Sequence, residues 1–342
     1  MEYEFLFLII SSHLNKTLFF LCLISGVFIS ISANSWFISW VGLELNLLSF
    51  IPILAIKTNT YASESALKYF LVQALASTFL ISRAIAIFLV KTAPILLILA
   101  SLLLKIGAAP LHFWLPTVIQ GISWTECLVL MTVQKVAPAI LISYTIFNRL
   151  SQPIIQTFSI VSRMIGAIGG LNQTLLRKII AYSSISHIAW ILAAICHNIT
   201  LWFYYMLVYS LISTSLVFFL KINQIFHFKQ ISLIKEPQEK IRYFLGFFSL
   251  GGLPPFLGFF PKIIVISTLT ITGNFLWLVF LLIRSLLTLF FYTRLIVRAF
   301  VISTPSAKSK VDKQNLISKR PYMLVILNFW SILFPLMFIT LY

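Results

Sequence analysis

The sequence predicts an all-α, polytopic membrane protein, and its composition and its apolar runs are the reasons. Of the 342 residues, 60% are hydrophobic and 10% are charged, and the mean hydropathy is +1.01. Soluble domains, by comparison, carry about 25% charged residues. Apolar runs of roughly 20 residues, the length that crosses a bilayer as a helix, recur along the chain. A soluble globular domain is therefore excluded.

Eleven apolar runs are expected to form transmembrane helices. They cover residues 5–33, 36–56, 62–90, 93–114, 123–147, 152–170, 174–196, 199–222, 243–272, 274–302 and 321–342. Asn15 and Lys16 interrupt the first run, which leaves 17–33 as its uninterrupted part. The hydrophilic segments 224–242 and 303–320 are short loops without a nucleotide-binding pattern. Any chemistry of the chain is therefore expected inside the membrane.

Positive charge is distributed unequally between the two sides of the predicted bundle. The net charge is +17, and an odd number of spans places the two termini on opposite sides. The loops on the N-terminal side collect Lys57, Arg177, Lys178, Lys229, Lys235, Lys240, Arg242, Lys308, Lys310, Lys313, Lys319 and Arg320. The other side holds little beyond Lys91 and Arg149. By the positive-inside rule the N-terminus is on the inner side. Because these basic residues lie in short interhelical loops, nucleic acid is not expected as a partner.

Two interrupted runs indicate an internal repeat. Glycine and proline break the fourth run over Lys105–Pro116 and the ninth over Leu250–Lys262. Segments of this kind in two halves of a chain are typical of inverted-topology repeats with a site near the bilayer midplane. We expect a single membrane domain with a first five-helix repeat over 1–147, a second over 152–302, and a C-terminal helix over 321–342.

Three lysines stand beside prolines inside these apolar runs. Lys105 precedes Pro110 by five residues, Lys135 precedes Pro138 by three, and Lys262 follows Pro261. A lysine at the centre of a transmembrane helix costs about 2.5–3.5 kcal/mol on insertion scales, and proline leaves a backbone carbonyl without its donor. Such groups belong where protein or water surrounds them. We interpret the three lysines as steps on a charge pathway, although Lys262 could instead only cap a broken helix end.

Glu44 and His187 are the further candidates for proton transfer. Glu44 lies in the middle of its apolar run, where a carboxyl stays protonated or finds a cation, so a structural ion pair is the competing interpretation. His187 lies halfway along its run with Ser183 and Ser184, where an imidazole either relays protons or is a satisfied core group. The hypothesis is a connected, water-fed relay of these buried groups.

The remaining charged residues receive structural interpretations. Glu64 and Glu126 are expected to open helices, where the dipole favours an acid. His112 is expected to be structural or to line a wall, while Lys68 and Arg294 either line the path or reach an interface. Arg83, Arg163 and Arg284 are expected to snorkel or to contact neighbouring subunits. No metal site is expected, because Cys22, Cys127 and Cys196 have no metal-ligand spacing.

Motifs along nearly the whole chain carry a family resemblance. They are Trp40-Val-Gly-Leu-Glu-Leu-Asn46, Leu67-Lys-Tyr-Phe-Leu-Val-Gln73, Leu104-Lys-Ile-Gly-Ala-Ala-Pro110-Leu-His-Phe-Trp114, Gln134-Lys-Val-Ala-Pro138, Gly166-Ala-Ile-Gly-Gly-Leu-Asn-Gln173, Tyr182-Ser-Ser-Ile-Ser-His187 and Ser249-Leu-Gly-Gly-Leu-Pro-Pro-Phe256. The chain thereby resembles the antiporter-like membrane subunits of mitochondrial NADH:ubiquinone oxidoreductase, respiratory complex I. It is more distantly similar to membrane subunits of bacterial cation/proton antiporters.

The resemblance implies a proton-translocating subunit of the mitochondrial inner membrane, with eleven helices and its N-terminus in the matrix. It implies proton transfer through Glu44 with Lys105, then Lys135 and Lys262, with His187 among the connecting groups. The implied partners are other membrane-arm subunits and phospholipids. NADH and ubiquinone would be used by the whole complex, and this chain would bind no cofactor. A stand-alone cation/proton antiporter and a purely architectural subunit are the alternatives.

Overall fold

The computed structural model describes residues 2–55, 60–89, 96–147, 150–233, 237–254 and 256–301, where every regular element is helical. Within these ranges, seven helical stretches are long and apolar enough to cross a membrane, and one of them is Trp124–Thr145 taken as a whole. The all-α, polytopic membrane architecture is thus confirmed. The predicted span 321–342, the loop 303–320 and the predicted loop residues Lys57, Lys91, Arg149 and Lys235 lie outside the described ranges.

The chain divides into two compact units, Met1–Ser159 and Ile160–Tyr342. The helices of the first unit are α1 (Glu2–Ile31), α2 (Trp36–Ala55), α3 (Thr60–Leu89), α4 (Leu96–Ile106), α5 (Trp114–Gly121), α6 (Trp124–Met131) and α7 (Val133–Thr145). α8 (Ser151–Leu171) contains the boundary. In the first unit, α3 contacts α2, α4 and α5, and α7 contacts α1, α4 and α6.

Two glycines bring α1 and α2 into close contact. A Cβ atom on Gly42 would lie 2.5 Å from the backbone nitrogen of Ser30, and one on Gly26 would lie 2.9 Å from that of Asn46. Both contacts are with backbone atoms, which cannot move aside as a side chain can. Small residues of this kind let membrane helices approach closely. The contact fixes the part of α2 that carries Glu44.

The second unit has α9 at its centre. Its further helices are α10 (Ile199–Ile222), α11 (Pro237–Gly251), α12 (Phe259–Ile271) and α13 (Phe275–Val301), with a 3₁₀ turn at Phe228–Leu233. α9 (Leu176–His197) is the most enclosed, with 89% of its membrane-length window buried. Gly166 of α8 lies against the α9 backbone, where a Cβ would be 2.7 Å from the nitrogen of Ser186. Gly170 of the same helix lies beside Phe291 of α13.

At both predicted interruptions, a helix ends and a glycine with positive φ follows its last residue. α4 stops at Ile106, and Gly107 takes φ of +81° before the chain reaches α5 at Trp114. α11 stops at Gly251, and Gly252 takes φ of +69° before α12. A residue without a Cβ adopts this left-handed conformation at little cost. Each interruption is therefore a stretch of non-helical chain rather than a proline kink in a continuous helix.

A third break was not predicted. Thr132 separates α6 from α7 with φ of −110° and ψ of −76°, and its hydroxyl donates to the Leu128 carbonyl at 2.8 Å. Pro138, which the sequence associates with a break, lies inside the continuous helix α7. The break therefore precedes Lys135 instead of following it.

Candidate functional site

Lys105 lies in the last turn of α4, where several donors satisfy the freed carbonyls. The backbone nitrogens of Gly107 and Ala108 donate to the Leu103 carbonyl at 3.1 and 2.9 Å. The indole nitrogen of Trp114 donates to the Leu104 carbonyl at 3.1 Å, and the Gln73 amide donates to the Lys105 carbonyl at 3.4 Å. Lys105 itself is buried. The negative end of the helix dipole favours its ammonium form.

Lys135 lies at the beginning of its helix, whereas Lys105 lies at the end of its own. It lies in the first turn of α7, its backbone nitrogen donates to the Thr132 carbonyl at 3.2 Å, and its side chain is buried. The positive end of a helix dipole disfavours a further positive charge. Two buried lysines of the first unit thus occupy opposite helix ends, one that stabilises an ammonium group and one that does not.

A small polar cavity joins these two lysines. It measures about 20 Å³, and its lining is formed by Leu43, Asn46, Leu47, Tyr69, Gln73, Lys105, Ile106, Trp114, Leu130, Gln134, Lys135 and Pro138. A single water needs roughly 10–15 Å³ and two to four polar partners. Lysine and amide groups in the wall supply such partners. The cavity therefore has room for about one water molecule between Lys105 and Lys135.

Neutral polar side chains organise this cavity, and the sequence analysis did not select them. The Gln134 amide nitrogen donates to Asn46 Oδ1 at 2.8 Å, and the Tyr69 hydroxyl donates to Gln134 Oε1 at 3.4 Å. These bonds tie α2, α3 and α7 together beside the two lysines. Asn46, Gln73 and Gln134 stand in apolar helices within the quoted motifs, and their polarity in that setting was the available signal.

Glu44 lies near Lys105 without a direct ion pair. Its carboxylate is within electrostatic range of the ammonium group. Among the described residues, no donor bonds to Oε2 of Glu44. The ion pair seen within 4.0 Å among those residues joins Glu64 to Lys68 instead. Glu44 is half-buried on α2, two residues before Asn46. Its interaction with Lys105 therefore acts across a gap.

In the second unit, Lys262 reaches back from α12 to the end of α11. Its Nζ donates to the carbonyl of Gly251 at 2.5 Å and to that of Leu250 at 3.4 Å, and the side chain is buried. Gly252 leaves room for it, because a Cβ there would lie 2.5 Å from Nζ. The ammonium group therefore caps the broken helix end with its charge inside the protein.

His187 has an aromatic and hydroxylic environment in the same unit. Its Nδ1 lies 2.9 Å from the Tyr205 hydroxyl, and its ring centroid lies 4.9 Å from that of Tyr209. The imidazole is buried on α9. A histidine bonded to a hydroxyl can pass a proton through it or remain a fixed core group, so both predicted interpretations are still open.

Two arginine predictions were wrong. Arg163 and Arg83 were expected to snorkel or to contact neighbouring subunits, but they are only 1% and 5% exposed. Arg163 donates to the carbonyls of Ser186 and Leu281, which are buried acceptors that a sequence does not reveal. Arg284 is half-buried, and its predicted role remains a prediction.

The other charged candidates have local roles. Glu126 begins α6 as predicted, and its Oε2 accepts a bond from the Ser123 nitrogen at 2.8 Å in a capping box. Glu64 does not open α3 as expected, since it lies one turn inside and pairs with Lys68 at 2.6 Å. His112 is buried, with Nδ1 3.1 Å from the Pro110 carbonyl.

Arg294 is half-buried on α13 of the second unit, and its predicted position on the path or at an interface remains a prediction. Arg294 donates to the Leu171 carbonyl. Within the described ranges, no three His, Cys, Asp or Glu side chains come together as metal ligands. Lysines, amides and a tyrosine line the cavity of the first unit, and amine and phenol groups can exchange protons.

The described chain is an all-helical membrane protein with buried lysines at helix interruptions, as the resemblance to antiporter-like membrane subunits implies. The family model described as NADH:quinone oxidoreductase/Mrp antiporter, TM, matches residues 33–94 and 89–288. The chain belongs to this family. The NADH-ubiquinone oxidoreductase chain 2 of Anopheles gambiae is 44% identical over 331 residues, which are 93% of this chain and 95% of that protein.

Solved structures of related complexes share the fold. A chain of respiratory complex I from Thermus thermophilus matches with a TM-score of 0.75 and 26% identity, over 85% of this chain and 71% of that one. A chain of the Mrp complex from a Dietzia species matches with a TM-score of 0.73 and 21% identity, over 82% and 59%. The second likeness concerns the fold alone.

Proposed function

We propose that the chain is a proton-translocating membrane subunit of an NADH:ubiquinone oxidoreductase in the mitochondrial inner membrane. The observation that carries the proposal is the cavity shared by Lys105 and Lys135, between helix ends of opposite polarity. The similarity to NADH-ubiquinone oxidoreductase chain 2 over nearly the whole chain supports the assignment to that complex. The reaction of the complex supplies the energy, and this chain moves protons.

Proton transfer in the first unit begins with Glu44 and Lys105. Two unit charges interact by about 4 kcal/mol at 4 Å and an effective dielectric constant of 20, and by less across the wider gap between Glu44 and Lys105. A gain or loss of charge near Glu44 therefore changes how strongly Lys105 holds its proton. Because the two groups interact across a gap, the coupling changes without a tight ion pair having to break.

Lys105 and Lys135 then compete for one proton. The end of α4 favours an ammonium group, whereas the beginning of α7 disfavours one, so Lys105 holds the proton while Glu44 is ionised. When Glu44 is neutral, this preference weakens, and transfer of the proton across the cavity to Lys135 costs less free energy. Gln134 and Asn46 keep the wall of that cavity fixed.

Lys262 and His187 extend the proposal to the second unit. Lys262 holds its proton against the carbonyls of Gly251 and Leu250, and His187 is bonded to the Tyr205 hydroxyl. Each unit thus has a buried lysine at an interrupted helix. This correspondence supports the proposed pair of inverted five-helix repeats; eleven helices and an N-terminus in the matrix complete the proposed architecture.

The proposed partners are other membrane-arm subunits and phospholipids. Large apolar side chains are exposed on the described helices, among them Leu71 at 60% and Leu286 at 67%. Such groups need lipid or another apolar protein surface around them. NADH and ubiquinone are proposed as substrates of the whole complex, with no cofactor held by this chain.

Neutralising the first unit's buried charges tests the proposal. The triple variant Glu44→Gln, Lys105→Met and Lys135→Met, assembled in the complex, is expected to oxidise NADH while pumping fewer protons per electron. The matched control is Lys221→Met, an exposed lysine at the end of α10. Full pumping by the assembled triple variant would refute the proposal and favour a purely architectural subunit.

A stand-alone cation/proton antiporter is the second candidate, and the Mrp description of the matching family favours it. Purified chain in liposomes separates the two functions. Proton flux driven by a sodium or potassium gradient in the absence of other subunits is the result expected of an antiporter. The complex-bound function predicts no such exchange.

A further inference from the structure

Arg163 is the most deeply buried charged side chain of the described residues, and the proposed relay does not use it. It lies on α8, and its guanidinium bonds to two other helices. Nη1 donates to the Ser186 carbonyl at 3.2 Å, Nε to the Leu281 carbonyl at 3.5 Å and Nη2 to the Thr288 hydroxyl at 3.4 Å. The group also lies 5.6 Å from the ring centroid of Trp190. These contacts hold the charge at one place.

No carboxylate neutralises that charge in the described part of the second unit. Glu239 is the acidic residue of residues 160–233, 237–254 and 256–301, and it lies in the first turn of α11, where it accepts a bond from Asn223. The acceptors around Arg163 are neutral carbonyl and hydroxyl oxygens. An arginine does not lose its proton in proteins, so the positive charge is permanent.

A short series of contacts leads from Arg163 to Lys262. Nη2 of Arg163 donates to Thr288 on α13, and Tyr292 lies one helical turn further along that helix, on the same face. The Tyr292 ring lies beside Gly251, where a Cβ would be 3.4 Å from Cδ2, and the Gly251 carbonyl accepts the bond from Lys262. Arg163 is also within electrostatic range of Lys262 itself.

The helices packed around α12 bring few other charges to Lys262. α9, α10 and α13 contact α12, and α11 ends at its ammonium group. The buried titratable or charged side chains of α8 to α11 and α13 in this unit are Arg163, His187, Tyr205, Tyr209, Tyr243 and Tyr292. Arg163 carries the permanent charge of this set, and α13 also holds the half-buried Arg284 and Arg294.

We propose that Arg163 is a positioning residue whose fixed charge sets the pH range in which Lys262 exchanges its proton. The inference rests on the proposed function of Lys262. The carbonyls of Gly251 and Leu250 favour the ammonium form, and a neighbouring positive charge disfavours it. The two effects oppose each other. Burial of the Lys262 side chain also disfavours the ammonium form, and the charge of Arg163 adds to that effect. Without Arg163, the balance shifts toward the protonated lysine.

Thr288 offers a test that leaves Arg163 in place. In Thr288→Asp, a carboxylate replaces the hydroxyl beside Nη2 and neutralises the arginine, whereas Thr288→Asn has the same shape without a charge. In the intact complex in liposomes, we measure proton pumping per NADH oxidised against pH. The alkaline limit of pumping is expected to rise by about one pH unit or more in Thr288→Asp. It is expected to stay at the wild-type value in Thr288→Asn.

Arg163→Met is expected to move the limit in the same direction as Thr288→Asp, and Arg163→Lys is expected to keep it near wild type. If Arg163→Met does not assemble, the Thr288 pair decides. Coincident pH profiles of Thr288→Asp and Thr288→Asn would overturn the inference. Lys262→Met separates the two proposals, because unchanged pumping in that variant would refute the proton-transfer role of Lys262 itself. Reduced pumping in Lys262→Met with coincident Thr288 profiles would refute the role of Arg163 alone.

Discussion

Two glutamates of the first unit differ in role because their positions in a helix differ. Glu126 is buried at the start of α6, where the Ser123 nitrogen donates to it at 2.8 Å. Glu44 is half-buried in the middle of α2, where the intrahelical bonds already use the backbone donors. A carboxylate at a helix start has backbone partners, whereas one in mid-helix depends on distant charges. Of these two glutamates, Glu44 is therefore the one whose change of charge can affect the proton on Lys105.

Replacing Glu126 is expected to change stability and not pumping. Glu126→Ala removes one bond of the capping box and should lower the free energy of unfolding by about 1 kcal/mol. Glu126→Gln keeps an acceptor at the same place and should retain most of that stability. Thermal denaturation of the purified complex measures the difference. A loss of protons pumped per electron in the stable Glu126→Gln complex would contradict the structural role.

Ionisable residues in apolar runs were predictable from the sequence, but their partners were not. The cost of burying a charge selects Lys105, Lys135 and Lys262, all of which are buried. The sequence analysis did not choose Asn46 and Gln134 as candidates, because neutral amides are less costly to bury than charges. Their pairing with each other is visible only in the folded structure. The prediction that Arg163 snorkels or contacts a neighbouring subunit was wrong, because the carbonyls that accept its hydrogen bonds lie 23 and 118 residues away in the sequence.

The contact between α1 and α2 shows how two glycines position a functional helix. Gly42 lies two residues before Glu44, and its missing side chain brings the backbone of α2 against that of α1. Any side chain at Gly42 meets backbone atoms, so the helices would have to separate. Such a separation would move Glu44 relative to Lys105.

A matched pair of glycine substitutions tests this packing. Gly42→Ala is expected to destabilise the complex by roughly 1–3 kcal/mol, as overpacking of an interior does. Gly246→Ala is the control, because its Cβ would lie 3.4 Å from the flexible side chain of Leu216. Thermal stability and the fraction of assembled complex are the measurements. Equal stability of the two variants would contradict the proposed close contact.

Helix bounds and glycine-containing interruptions followed from the sequence, whereas the break at Thr132 did not. The predicted spans 36–56 and 199–222 correspond to α2 at Trp36–Ala55 and α10 at Ile199–Ile222. The interruptions after Ile106 and Gly251 occur where Gly107 and Gly252 take positive φ, and glycines can be recognised in the sequence. Thr132 has no such signal in its side chain, so the sequence predicted one span over 123–147 where the structure has α6 and α7.

At the scale of the whole molecule, the basic residues of the loops predict which side of the membrane each loop faces. Lys178, Lys229 and Lys240 lie in or beside described loops on the predicted inner side, whereas Asn198 joins α9 to α10 on the other. The positive-inside rule then places the first group in the matrix. This orientation is part of the proposal for the chain.

Cysteine labelling tests the orientation. In a background without Cys22, Lys229→Cys is expected to react with a membrane-impermeant thiol reagent from the matrix side, because Lys229 is exposed. Asn198→Cys, which is also exposed, is expected to react from the opposite side. The measurement compares intact and inside-out inner-membrane vesicles. The reverse pattern would contradict the proposed topology.

The central claim is that a proton passes between the buried lysines of the interrupted helices. The most direct test is the number of protons pumped per NADH oxidised by the assembled Lys135→Met complex, with Lys221→Met as the control. We predict a lower ratio in Lys135→Met while NADH oxidation continues and assembly is complete, and a wild-type ratio in the control. A wild-type ratio in fully assembled Lys135→Met would contradict the account.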